Sequence, residues 1–212
     1  MIEILQYVFN FIAHVDVHLV QLLAEYGLWI YAILFIIIFS ETGLVVTPWL
    51  PGDSLLFAVG ALTAIDTSKT LNLPLVTTLL TFAAILGNSC NYAIGKEIGL
   101  RAFNGRYWFL NLTYLQRTEK YFARYGGSIV IISRFMPIIR TFAPFVAGVG
   151  RMQYARFQFF NVFGALLWVG VFVVGGYIFG NISLIKNNFG IVTIVIILIS
   201  ILPAGLMLLR RQ

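Results

Sequence analysis

A chain of 212 residues that is 60% hydrophobic and only 10% charged has too little charge to coat a water-soluble surface, since an average soluble domain is about 45–50% apolar and about 25% charged. The net charge of +6 does not indicate nucleic acid: the basic residues are interspersed with apolar runs of lipid length, so membrane topology explains them better. The single cysteine, Cys90, excludes an internal disulfide and reads as a small packing residue.

In chain order, residues 1–25 carry Glu3, Gln6, Asn10, His14, His18, Gln21 and Glu25 at helical spacing, one polar stripe on an otherwise apolar helix. Such a helix either lies in the interface or crosses with its stripe against protein. The first basic residue is Lys69, so the start of the chain lacks the basic region of a cleaved signal peptide and is expected to be retained. His14 and His18 have metal-ligand spacing but no third ligand nearby, so no metal is expected.

Residues 26–64 form an interrupted apolar region with Glu41, Pro48, Pro51, Gly52 and Asp53 near its middle. Residues 70–95 form an uninterrupted span, followed by a basic connector with interfacial aromatics at 96–124. A second interrupted region, 125–150, carries Arg134, Pro137, Arg140, Thr141 and Pro144. Two further spans follow at 157–185 and 189–209. A helix needs about 20 apolar residues to cross a bilayer, which the three uninterrupted runs provide. Four of the chain's six prolines fall in the two interrupted regions. Proline breaks a helix, and free backbone groups at membrane depth are tolerated only against protein or a wet cavity. Both regions therefore read as re-entrant hairpins with broken tips.

The expected fold is an all-α integral membrane protein of one domain, with transmembrane helices and two opposed re-entrant hairpins in an inverted repeat. If the second hairpin starts and ends on one side, the basic connector shares a face with Arg151, Arg156, Arg210 and Arg211, against Lys69 and Lys186 on the other. The richer face is cytoplasmic. The hairpins then enter from opposite leaflets. Each opens with Tyr-Gly (Tyr26-Gly27 and Tyr125-Gly126), and at the same distance beyond each glycine stands a charge followed by threonine, Glu41-Thr42 and Arg140-Thr141. Inverted repeats place substrate sites at the repeat interface.

Glu41, Asp53, Arg134 and Arg140 each cost about 2.5–3.5 kcal/mol at mid-membrane, so they must face one another or a polar cavity. One reading makes them acid–base pairs that lock the hairpin tips. The other makes Arg134 and Arg140 a phosphate grip, with Glu41 and Asp53 as proton carriers or charge partners. No hydrolytic constellation, P-loop or nucleotide-binding motif appears, so neither an enzyme nor a cofactor is expected.

The run Glu41-Thr42-Gly43, with Pro48-Trp49-Leu50-Pro51-Gly52-Asp53-Ser54-Leu55, resembles the first signature of the DedA (SNARE-associated, VTT-domain) family. The second signature resembles Arg134-Phe135-Met136-Pro137-Ile138-Ile139-Arg140-Thr141-Phe142-Ala143-Pro144 with Ala147-Gly148, and Asn161, Gly164 and Trp168 continue the match. The resemblance implies a multi-pass bacterial inner-membrane protein with two facing hairpins and both termini cytoplasmic. It implies a lipid partner, undecaprenyl phosphate, moved with dependence on proton motive force, and essential roles for Glu41, Asp53, Arg134 and Arg140. Several family members carry an acid where this chain has Asn88, a departure from the pattern. A less selective phospholipid scramblase, for example for phosphatidylethanolamine, and a non-transporting membrane scaffold stay open beside the carrier, as does the oligomeric state.

Overall fold

Residues 27–44, 52–66, 70–98, 120, 122, 124–180 and 182 are described by the structure, a computed structural model. Every regular element among them is helical. The expected helices at 1–25 and 189–209, the tip residues Pro48 and Pro51, and nearly all of the basic connector lie outside the described residues.

The first interrupted region becomes α1 (Trp29–Gly43) and α2 (Gly52–Ile65). At 1.5 Å per residue neither reaches the roughly 30 Å of a hydrocarbon core. Ahead of α1, Gly27 takes a left-handed φ of 50°, which a residue with a side chain rarely adopts. Between α2 and α3 the chain is tied by side chains. Tyr31 of α1 donates to the Thr70 carbonyl at 3.1 Å and accepts from Asn72 N–H at 2.8 Å. Asp66 accepts from Leu71 N–H, and Asn72 accepts from Leu75 N–H as the N-cap of the next helix.

That helix, α3 (Leu73–Ile98), has 26 residues and is long and apolar enough to cross a membrane, as is α6 (Tyr154–Gly180) with 27. Both are displaced from the expected spans at 70–95 and 157–185. α3 keeps Lys96 in its last turn, where a cation complements the carbonyl end of the helix dipole. α6 begins three residues early because Gln153 and Tyr154 already sit at its first turn, with Phe157 N–H bonded to the Gln153 carbonyl.

The second interrupted region opens with Gly126, again left-handed at φ 58°. A 3-10 turn at Gly126–Ser128 runs into the four-residue α4 (Ile129–Ile132) and a second 3-10 turn at Ser133–Phe135. Met136 is extended (φ −121°, ψ 101°), and Pro137 starts α5 (Pro137–Val149). This is the position where proline is tolerated, because its missing N–H has no helical partner there. The break therefore sits at Met136-Pro137. Pro144, expected at the tip, lies inside α5, where it has no N–H to give the Arg140 carbonyl. Arg140 and Thr141 are likewise on α5 rather than in the break.

α5 ends in a hydrogen-bonded cap: Met152 N–H reaches the Ala147 carbonyl and Arg151 N–H that of Gly148, both at 2.9 Å. Arg151 holds φ 50° there, the place usually given to glycine. Tyr92 donates to the Met152 carbonyl and stacks on Phe157 with centroids 4.5 Å apart. Ile129, Val130 and Ala147 complete that cluster.

The chain divides into two compact units, residues 1–35, 51–80 and 169–212 in one, and 36–50 and 81–168 in the other. In the first, α2 meets the second half of α6 at backbone distance: a Cβ on Gly60 would overlap the Val173 carbonyl, and one on Gly176 that of Phe57. In the second, α3 and α5 approach in the same way through Gly95 and Gly148. Small residues permit such contact where lipid supplies no hydrophobic drive.

Candidate functional site

The buried polar residues of the second unit converge from five segments. The last turn of α1 supplies Glu41 and Thr42. α3 supplies Asn88 and Asn91, the 3-10 turn before the break supplies Arg134, α5 supplies Arg140 and Thr141, and α6 supplies Asn161 and Trp168. All are buried, Glu41 to 1% exposure and Arg134 to 3%. An apolar helix carries these residues only because each meets a partner within the protein.

Arg140 and Glu41 form an ion pair. The residues that follow them, Thr141 and Thr42, are tied by one side chain: Asn91 donates from Nδ2 to the Thr141 carbonyl at 2.9 Å and to the Thr42 carbonyl at 3.3 Å. The Thr42 hydroxyl returns to the Ile38 carbonyl at 2.8 Å within α1. Gly87 of α3 is glycine because a Cβ there would overlap that hydroxyl.

Arg134 is held differently. Its Nη2 donates to Asn161 Oδ1 at 2.8 Å and, at 3.4 Å, to the carbonyls of Asn161 and Ala84. These acceptors are neutral, and Nε has no hydrogen-bond partner among the described residues. The guanidinium lies over Gly164, where a Cβ would come within 3.1 Å of Nε. Asn161 is in turn fixed by Asn88 Nδ2 at 3.1 Å and donates to the Ile85 carbonyl and Gln158 Oε1. Both arginines share the Trp168 ring, each guanidinium carbon 5.7 Å from its centroid, a spacing that favours cation–π attraction. The cluster thus sets two guanidiniums against one indole, with the Glu41 carboxylate paired to one of them.

Of the residues expected from sequence, Glu41, Thr42, Asn88, Arg134, Arg140, Thr141, Asn161 and Trp168 are gathered in this unit. Asp53 is also buried, in the first turn of α2 after Gly52, where the helix N-terminus stabilises a carboxylate; it belongs to the other unit. Sequence reasoning missed Asn91, Ser89 and Gln158. Their signal was available: amides and a hydroxyl inside runs otherwise free of charge, with Asn91 and Gln158 one helical turn from Asn88 and Asn161 and Ser89 directly after Asn88. Among the described residues no group of His, Cys, Asp or Glu is placed to hold a metal.

Comparison with known proteins gives concordant findings. The VTT domain family matches residues 50–178. Protein DedA of Escherichia coli (strain K12) is 47% identical over 211 residues, covering 99% of this chain and 96% of that protein. Inner membrane protein YqjA of Escherichia coli (strain K12) is 40% identical over 153 residues, 72% of this chain and 68% of that protein. An uncharacterized membrane protein of Mycobacterium leprae (strain TN) is 36% identical over 172 residues, 80% of this chain and 75% of its own. No solved structure matches.

Proposed function

This chain belongs to the VTT-domain, or DedA, family, and on that premise we propose that it is a bacterial inner-membrane carrier, not an enzyme, that moves undecaprenyl phosphate across the bilayer. The observation that carries the reading is Arg134, a buried cation whose hydrogen-bond acceptors among the described residues are all neutral. A guanidinium in that setting is under-neutralised, and a phosphate matches its fork in charge and geometry. The lipid's phosphate takes the place of the Asn161 contacts on Arg134, while the isoprenoid tail stays in the hydrocarbon.

Glu41 competes with the phosphate for Arg140. When Glu41 is ionised, its ion pair withholds Arg140. When Glu41 takes a proton, Arg140 turns to the phosphate as a second cation, which couples movement to the proton gradient. Asp53, a buried acid at the start of α2, is the second candidate proton carrier.

In this reading the two interrupted regions are re-entrant hairpins of an inverted repeat. Three features support it. Their helices are too short to span, each opens on a left-handed glycine, and the charges at matching positions are ion-paired while Asn91 bridges the threonine carbonyls that follow. Both termini then face the cytoplasm, with the basic connector.

The test uses proteoliposomes with labelled undecaprenyl phosphate. The native protein moves the label, and an inward proton gradient accelerates it. Arg134→Ala and Arg140→Ala abolish movement, and Glu41→Gln loses the response to the gradient. Unchanged movement in both arginine variants removes the proposed site. Equal competition by phosphatidylethanolamine assigns a general phospholipid scramblase instead.

A further inference from the structure

A line of hydrogen-bonded polar side chains leads from Arg134 to the surface along the contact of α3 with α6. Asn161 holds Arg134 at 2.8 Å and donates to Gln158 Oε1 at 3.0 Å and to Ser89 Oγ at 3.4 Å. Gln158 Nε2 donates to Ser89 Oγ at 2.6 Å and to the Tyr154 hydroxyl at 2.5 Å. Exposure rises outward along this line: Asn161 is fully buried, Gln158 and Ser89 are half-buried, and Tyr154 is 53% exposed.

The flanks of the same helices are apolar and exposed at Phe82, Leu86, Phe159 and Leu166, the surface expected to meet lipid. The seam's side chains satisfy one another, and its half-buried and exposed members present their remaining donors and acceptors to water or a headgroup. At its outer end stands the exposed Tyr154, in ring contact with Tyr92. Graded hydrogen-bond partners replace the hydration of a headgroup step by step.

Resting on the carrier reading, we infer that this seam is the headgroup path: a lipid phosphate enters beside Tyr154, passes Gln158 and Ser89, and reaches Arg134 through Asn161. Gln158 and Ser89 are positioning residues for passage, and Arg134 is the binding residue. The tail follows outside, along the apolar flanks.

Cysteine accessibility tests the seam in a Cys90→Ala background, since Cys90 is exposed next to Ser89. Single cysteines replace Gln158, Ser89 and, as the lipid-facing control on the same helix, Leu166. An anionic methanethiosulfonate reagent added from the Tyr154 side modifies the cysteines at 158 and 89 at least about tenfold faster than the one at 166, a rate ratio that reports hydration. Undecaprenyl phosphate in the vesicles slows modification at 158, and inorganic phosphate does not. Rates at 158 and 89 equal to that at 166 overturn the path and leave the seam as helix–helix packing. Protection by inorganic phosphate alone overturns a lipid cargo.

In the transport assay, Gln158→Leu slows lipid movement about tenfold, and Gln158→Asn recovers most of it. Native-rate movement in Gln158→Leu overturns the path while the carrier reading stands. A native protein that moves no lipid, although the cysteine at 158 reacts, overturns the carrier reading and the path with it.

Discussion

Arg140 and Arg134 lie on either side of one helix break and share one tryptophan, yet their surroundings differ in kind. Arg140 has a buried carboxylate of its own from α1. Arg134 has an asparagine and two backbone carbonyls. The first corner is a buried ion pair, which under the proposed mechanism yields when its acid takes a proton. The second is a cation held in place by neutral hydrogen-bond acceptors, with no carboxylate bonded to it among the described residues. The contrast separates what holds the site together from what the site is poised to bind.

Removing one partner of the ion pair breaks this comparison most severely. Arg140→Ala strands Glu41 without its buried cation and should cost about 3–5 kcal/mol, read as a loss of thermal stability in detergent. Glu41→Gln, which keeps shape and removes charge, should cost less. Arg134→Gln should do the reverse. Its acceptors are neutral, so stability falls by only about 1–2 kcal/mol, while lipid movement falls about a hundredfold, as when a charged donor is removed from a dry site. Equal stability losses at the two arginines would dissolve the distinction.

The exchange of Glu41→Arg with Arg140→Glu sharpens it further. The double variant should regain most of the stability lost by either single change, while transport stays low because the second cation has moved to α1. Full recovery of activity would instead favour a scaffold whose charges serve only its shape. Asn91→Leu removes the donor that ties the Thr42 and Thr141 carbonyls and should cost about 1–3 kcal/mol, measured by the same melting curves. The smallest effect belongs outside the site. Arg151 sits at a left-handed φ of 50°, so Arg151→Gly should stabilise by about 1 kcal/mol through relief of backbone strain.

Much of the cluster was legible because charge inside an apolar run has few explanations. Glu41, Arg134 and Arg140 stood out for their cost in hydrocarbon, and the matching Tyr-Gly and charge-Thr positions set Glu41 and Arg140 at corresponding points of the expected repeat. The break in the second region was legible as well, since Met136-Pro137 cannot continue a helix. Pro144 misled because proline inside a helix is tolerated when neighbours meet the freed carbonyl, and one sequence does not reveal those neighbours. Asn91, Ser89 and Gln158 were overlooked because a neutral amide or hydroxyl costs less than a charge, and only packing of α3 on its neighbours shows which polar face is buried. The ends of α3 and α6 ran past the apolar spans because Lys96, Glu97 and Tyr154 are compatible with helix at a membrane boundary.

The central claim is that Arg134 holds a lipid phosphate, and retention of undecaprenyl phosphate by purified protein, read by native mass spectrometry, tests it most directly. The native chain should carry the lipid. Arg134→Gln should lose it while keeping its fold, and Arg151→Gly should retain it. Undiminished retention by Arg134→Gln would contradict the account.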